Sequence, residues 1–254
     1  MDLAVVACST MDQITKNHAQ WILHTKAAIR NIPLRNKYRN TMIEIIPSVL
    51  VQSEEEFVQN ISGLENSVDM IQLDIADGVF VDNTTWADPE KVKKIPLEIE
   101  LHLMVQNPLE ELQRWQGVHQ VKRVHFHFES TESVDTTIAE IREAGYEVGV
   151  ALKPETSIEV LEPYINEIDA VLFLSVHPGK QGQPFLPDVL EKIQSFRKKG
   201  WSHFVEIDGG VNEKTLPEII ASGVDAVCPG SAIFKEGNPA ENVQKMEKLL
   251  ANTH

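Results

Sequence analysis

The chain has 254 residues, 42% of them hydrophobic and 24% charged, which is enough for one large domain or two small ones around a sizeable core. Its formal net charge of −15 and pI near 5.0 would repel a phosphate backbone and argue against nucleic acid as a partner. Two distant cysteines, Cys8 and Cys228, make neither a metal-ligand spacing nor a disulfide framework, and no apolar run reaches the ~18 residues that span a bilayer, so a membrane partner is excluded and a reducing, cytoplasmic setting is expected.

In chain order, the first feature is a composition boundary. Residues 1–41 hold six Lys/Arg against two Asp, whereas residues 42–254 hold 17 basic side chains against 36 acidic ones. The first stretch reads as a basic N-terminal extension without a catalytic part, able at most to form a short amphipathic helix over 21–29. Its opening, MDLAVVACS, places Asp2 where an export signal carries Lys or Arg and has too short an apolar core, so export is not expected. From Ile43 onward, short Val/Ile/Leu runs alternate with segments of helical period. Strands are predicted at 43–49, 69–75, 97–104, 121–128, 146–152, 169–175, 203–207 and 225–228. Helices are predicted at 53–64, 108–116, 133–144, 158–165, 187–199, 213–222 and 239–250, several opening on Ser, Asn or Pro. Eight units of about 27 residues suit a single α/β domain over 42–254, a (β/α)8 TIM barrel, and are too short for two doubly wound domains.

In such a barrel the C-terminal strand ends carry the chemistry and alternate residues point inward. Within MIQLDIADGVF (70–80), Gln72, Asp74 and Ala76 therefore share the inward face, while Asp77, on the other parity before Gly78, reads as an acceptor of loop N–H groups. Glu100, His102 and Met104 share a face of the next strand, and Asp208 ends the seventh before a glycine pair. One carboxylate at a strand end is a weak signal; two on nearly opposite strands, with an imidazole from a third, form a more specific constellation. His125 and His127 also share a face. They read as structural imidazoles partnered by Glu100 and Glu129 rather than as a hydrolase-type metal pair.

Phosphate recognition is indicated by IDGGV (207–211) and PGSAIF (229–234), which place Gly209, Gly210, Gly230 and Ser231 where barrels hold an anion on backbone N–H groups. The loop SVHPGKQGQPF (175–185) adds Gly179, Lys180, Gly182 and Gln183 and could close over the same anion. No dinucleotide glycine motif or P-loop is present, so no nucleotide cofactor is expected.

Taken together, IIPSVL, LDIADGVFVDN, LHLMVQNP, VALKPET, LSVHPGKQGQPF, EIDGGVN and PGSAIF, in that order and spacing, resemble the ribulose-phosphate 3-epimerase family over nearly all of residues 43–250. The resemblance implies a homo-oligomeric barrel enzyme in which two aspartates exchange the C3 proton of a ketose phosphate through an enediolate, interconverting D-ribulose 5-phosphate and D-xylulose 5-phosphate. It implies Asp74 and Asp208 as the acid–base pair, and Asp74, His102 and Asp208 as ligands of a divalent metal such as Zn, Mn or Fe. It further implies Ser48, His102 and Met104 along the substrate, with the glycines and Ser231 on its phosphate. The residue types suit the chemistry: a proton beside a ketone needs its developing oxyanion stabilised, and inversion needs a second acid on the opposite face. The chain departs from the pattern at Gln72, where the family has a metal-binding histidine and an amide is a poorer ligand. It departs again at Ala76 and Leu174, where the family has methionines, and at Lys180-Gln181, where it has Phe-Gly. These departures leave open a phosphosugar-binding relative with another substrate, such as a hexulose phosphate, or with lost catalysis.

Overall fold

The computed structural model describes residues 43–252, and the extension predicted over 1–41 lies outside them. Nine parallel strands run in chain order as β1 (Glu44–Ile45), β2 (Ser48–Val49), β3 (Met70–Ala76), β4 (Glu98–Met104), β5 (Val121–His127), β6 (Glu147–Leu152), β7 (Ala170–Leu174), β8 (Phe204–Asp208) and β9 (Ala226–Cys228). The sheet order is β1-β9-β8-β7-β6-β5-β4-β3-β2, so both ends of the sheet come from the stretch predicted as one strand over 43–49. Pro47 causes the split. The Ile46 and Ser48 amides donate to the carbonyls of Val227 and Pro229 at 3.0 and 3.1 Å, and Gln72 N donates to Pro47 O at 3.0 Å. On the β3 side, however, Pro47 has no N–H to return. This stretch pairs with both neighbours and closes the (β/α)8 barrel.

The helices begin where side chains can satisfy their free N–H groups. Ser53 accepts from Glu56 N ahead of Glu54–Ile61, Asn107 from Glu110 N ahead of Pro108–Arg114, and Asn238 from Ala240 N and Glu241 N ahead of Pro239–Ala251. Each such cap is worth about 1 kcal/mol. The helices Val134–Glu143, Asp188–Lys198 and Leu216–Ser222 complete the longer set. The helix predicted over 158–165 shrinks to the 3-10 turn Ile158–Leu161, because Pro163 cannot donate to the next turn. Pro89–Val92 and Ser231–Phe234, each four residues long, are too short to leave a period in the sequence. No helix among the described residues is long and apolar enough to cross a membrane.

Strand parity separates two cores. Ile71, Leu73, Leu101, Leu103, Val124, Phe126, Val148 and Phe173 point outward into the large core beneath the helices, each contributing about 1.5–3 kcal/mol by burial. Inside the barrel the apolar cluster is small: Ile46, Ala151, Leu172, Leu174, Ala226 and Cys228. The remaining interior is polar and lies in layers set by register, with Gln72 beside Glu100, Glu100 beside Arg123, and Asp74 beside His102 beside His125.

The lower layer is a charge group whose Arg123 also reaches Glu147 at its edge, Nη2 to Oε2 at 2.9 Å. Arg123 Nη1 donates to Glu100 Oε2 at 3.0 Å and to Glu206 Oε1 at 2.9 Å, and His125 Nε2 lies 3.0 Å from Glu206 Oε1. Burial alone would discharge His125, but the Glu206 and Glu100 carboxylates hold its pKa up at about 9, so two cations meet two buried acids. The partner nearest His125 is thus Glu206, with Glu100, the one expected from the sequence, farther off at 3.7 Å. The ring fits only because β6 offers Gly149 opposite it: a Cβ there would lie 2.1 Å from Nδ1. Gly149→Ala is expected to lower stability by about 2 kcal/mol, a drop in Tm of about 4–8 °C. Scanning calorimetry at pH 7 checks it, and an unchanged Tm would mean that the ring relocates freely.

Candidate active site

Strand parity brings Gln72 and Asp74 of β3, His102 and Met104 of β4, Ser48 of β2 and Asp208 of β8 to the C-terminal mouth of the barrel, where Ser48, Asp74, His102, Met104 and Asp208 line one pocket. The two carboxylates are unequally served. Asp74 accepts from Ser48 Oγ at 2.7 Å on Oδ2 and from Gln72 Nε2 at 3.0 Å on Oδ1, and His102 Nδ1 lies 2.9 Å from Oδ1. Asp208 receives Gln72 Nε2 at 3.1 Å on Oδ2, with His102 Nδ1 farther off at 3.7 Å. Burial and the neighbouring Asp74 charge push the Asp208 pKa up to about 7. One acid thus sits among donors and the other retains a proton near neutrality, as an acid–base pair requires.

His102 is oriented from behind. His127 Nδ1 lies 3.3 Å from Glu129 Oε2, and a carboxylate only accepts, so that nitrogen carries the hydrogen. Burial pushes the His127 pKa down to about 4 and keeps the ring neutral, which leaves its Nε2 to accept from His102 Nε2 at 2.9 Å. Glu129 itself, despite its burial, is held at about 2 by hydrogen bonds from His127 and Thr156. The relay therefore aims His102 Nδ1 at the two acids, either as a donor or as a lone pair facing a cation. Ligand atoms of Asp74, His102 and Asp208 lie within 4.8 Å of one another, and two carboxylates with an imidazole suit a divalent ion. Gln72 does not join them in this orientation, since it presents its nitrogen to the same space.

The glycine loops open onto the same pocket. Gly179, Lys180, Gly182, Gly209, Gly210, Gly230 and Ser231 all line it. Gly209 has φ 110°, and a Cβ on it would lie 2.5 Å from Val176 Cγ2, so glycine alone permits the turn that follows Asp208. Gln183 does not line the pocket; its amide donates to the carbonyls of His177 and Lys180 and braces the loop. Asn83 Nδ2 donates to Gly179 O at 2.8 Å and pins that loop from the β3 side. Asp77 accepts from the amides of Val79, Phe80 and Gln106, the loop-fixing part read for it. Two residues take parts at the site that were not assigned from the sequence, which marked Gln181 only as a departure from the family pattern. Gln181 donates to Ser48 O at 3.1 Å and fills the space beside Gly230, and Ser175 Oγ donates to Asp208 O at 2.9 Å. Periodicity says nothing of which carbonyl a polar side chain will reach.

The model of the ribulose-phosphate 3 epimerase family matches residues 44–234. Ribulose-phosphate 3-epimerase of Schizosaccharomyces pombe is 33% identical over 215 residues, 82% of this chain and 93% of that protein. The Chlamydia trachomatis protein of the same name is 33% identical over 196 residues, 73% of this chain and 82% of its own. Among solved structures, 3-hexulose-6-phosphate synthase from Salmonella typhimurium superposes with a TM-score of 0.64 at 16% identity, covering 84% of this chain and all of its own, a likeness of fold.

Gly230 offers the cleanest probe of the anion cradle. It has an ordinary φ of −96°, and a Cβ would meet only the flexible end of Gln181, at 2.5 Å from Nε2. Gly230→Ala is expected to weaken inorganic phosphate binding by about 10-fold while Tm stays within about 2 °C. Calorimetric titration reads the first and thermal unfolding the second; unchanged phosphate affinity would remove the cradle assignment.

Proposed function

Given that the chain belongs to the ribulose-phosphate 3-epimerase family and is an enzyme acting on carbohydrates, we propose that it inverts C3 of D-ribulose 5-phosphate to give D-xylulose 5-phosphate. The observation that carries this reading is the unequal acid pair: Asp74 accepting from Ser48 and Gln72 with His102 Nδ1 at 2.9 Å, and Asp208 from the far side of the barrel with its pKa at about 7.

With the phosphate on the glycine loops, the sugar carbons extend toward the two acids, and Met104 and Leu174 form apolar walls beside them. Asp74 takes the C3 proton from one face, and the electrons pass into the C2 carbonyl to form an enediolate. Asp208 then delivers its proton to C3 from the opposite face, which inverts the centre. The pair ends with its proton on Asp74, the starting state for the reverse reaction, so one site serves both directions. Ser48, Gln72 and His102 hold the Asp74 oxygens in place throughout. Loop 175–185, tied down through Asn83 and Gln183, limits water access. Asp74, His102 and Asp208 would hold a Zn, Mn or Fe ion, whose charge would help stabilise the enediolate oxygens.

Incubation with D-ribulose 5-phosphate in deuterated water, followed by proton NMR, tests the reading. Wild-type protein is expected to incorporate deuterium at C3 and form xylulose 5-phosphate. Asp74→Asn and Asp208→Asn are each expected to slow this by about 10²–10⁴-fold while retaining phosphate binding. Exchange that persists in both variants would reject the acid pair, and exchange confined to a hexulose phosphate would move the substrate.

A further inference from the structure

We propose that Gln72 is a neutral stand-in for a cation: its amide nitrogen cross-links Asp74 and Asp208, and a divalent metal must displace it instead of gaining it as a ligand. One nitrogen, Nε2, donates one N–H to Asp74 Oδ1 at 3.0 Å and the other to Asp208 Oδ2 at 3.1 Å. The reverse orientation would press the amide oxygen against the Asp74 carboxylate, which can only accept, and would leave that carboxylate without the N–H it now has, so the network itself decides which end points in. The result is an amide whose Oε1 is buried without a hydrogen-bond partner, in a residue with 0% exposure.

The backbone holds Gln72 at the barrel seam, its N–H on Pro47 O and its register beside Ser48, so the side chain has little choice of direction. It reaches into the space between the two acids. A cation attracted there by Asp74, Asp208 and His102 Nδ1 meets the positive ends of two N–H dipoles. It can enter only if the amide turns over, leaving both carboxylates to the ion, or if the side chain withdraws. Oε1 can become a ligand only after that rotation, and the rotation breaks both bonds that joined the acids. Hydrogen-bond cross-linking and metal ligation by Gln72 are therefore mutually exclusive.

The two roles predict opposite signs for one substitution. If Gln72 were a ligand, Gln72→Leu would weaken metal binding. As a competing cross-link, Gln72→Leu is expected to leave Mn²⁺ affinity unchanged or raise it, and to lower the Tm of metal-free protein in a way that Mn²⁺ restores. Gln72→His, which puts a lone-pair donor at the same place, is expected to tighten Mn²⁺ by about 10-fold or more over wild type. The full chain, dialysed against chelator, is titrated with Mn²⁺ by calorimetry and melted with and without the ion. Should Gln72→Leu not fold, Gln72→Met keeps the length without the amide and answers the same question. Threefold or weaker Mn²⁺ binding in the apolar variant overturns the proposal, as does wild-type protein that retains stoichiometric metal through the chelator. None of these readouts needs turnover, so they stand or fall separately from the epimerase reading.

Discussion

Four carboxylates inside one closed barrel, Glu100, Glu206, Asp74 and Asp208, set the condition that the rest of the interior must meet. Apolar side chains could fill the same volume, but they could not offset that much buried negative charge. The lower layer meets the condition with Arg123 and His125 against Glu206 and Glu100, where burial and the Glu206 charge push the Glu100 pKa up to about 7. The upper layer meets it with dipoles and one imidazole, and meets it unevenly. Burial, the Asp74 charge and, more weakly, Glu206 from below keep a proton on Asp208 near neutrality. The neutralised floor and the deliberately uneven pair above it are two solutions to one electrostatic problem, and the second has chemical use.

The upper layer also depends on groups outside the barrel. Glu129 lies just past the end of β5 and is fastened by Lys153 N at 3.0 Å and by Thr156. Lys192 in turn donates to the carbonyls of Lys153, Pro154 and Thr156, so a surface helix holds the loop that positions Glu129. From there the hydrogen-bond chain runs through His127 to His102. Phe80, from the loop after β3, packs on the His127 ring with centroids 4.9 Å apart and receives Lys153 Nζ at 3.9 Å on its own. The direction of His102 Nδ1 is thus decided by loops from three strands, which is why disturbing a remote lysine should register at the acid pair.

Much of the architecture was readable from periodicity. Alternation within a strand is local, so Gln72 and Asp74 could be assigned to the inward face and Glu100 and His102 to one shared face without coordinates, Asp208 could be placed at a strand end, and the glycines at 209, 210 and 230 marked places where the chain must turn or approach another group closely. The misses have equally local causes. Pro47 interrupts a strand that hydrophobic pattern alone reads as continuous, Pro163 ends a helix that the pattern extends, and helices of four residues are shorter than the period needed to detect them. Gln183 carried the right residue type for a ligand but is used up on the carbonyls of its own loop.

What the sequence determined by itself is which residues can face inward and where the chain turns, because both depend on neighbours two or three positions away. Which donor meets which acid was decided only by the tertiary structure. Gln72 reaches Asp208 across 136 residues of chain, Arg123 reaches Glu206 across 83, and Gln181 reaches Ser48 across 133. Those pairings exist because the first strand closes the sheet between β9 and β3, and hydrogen bonds act over about 3 Å, a distance that no spacing in the sequence encodes.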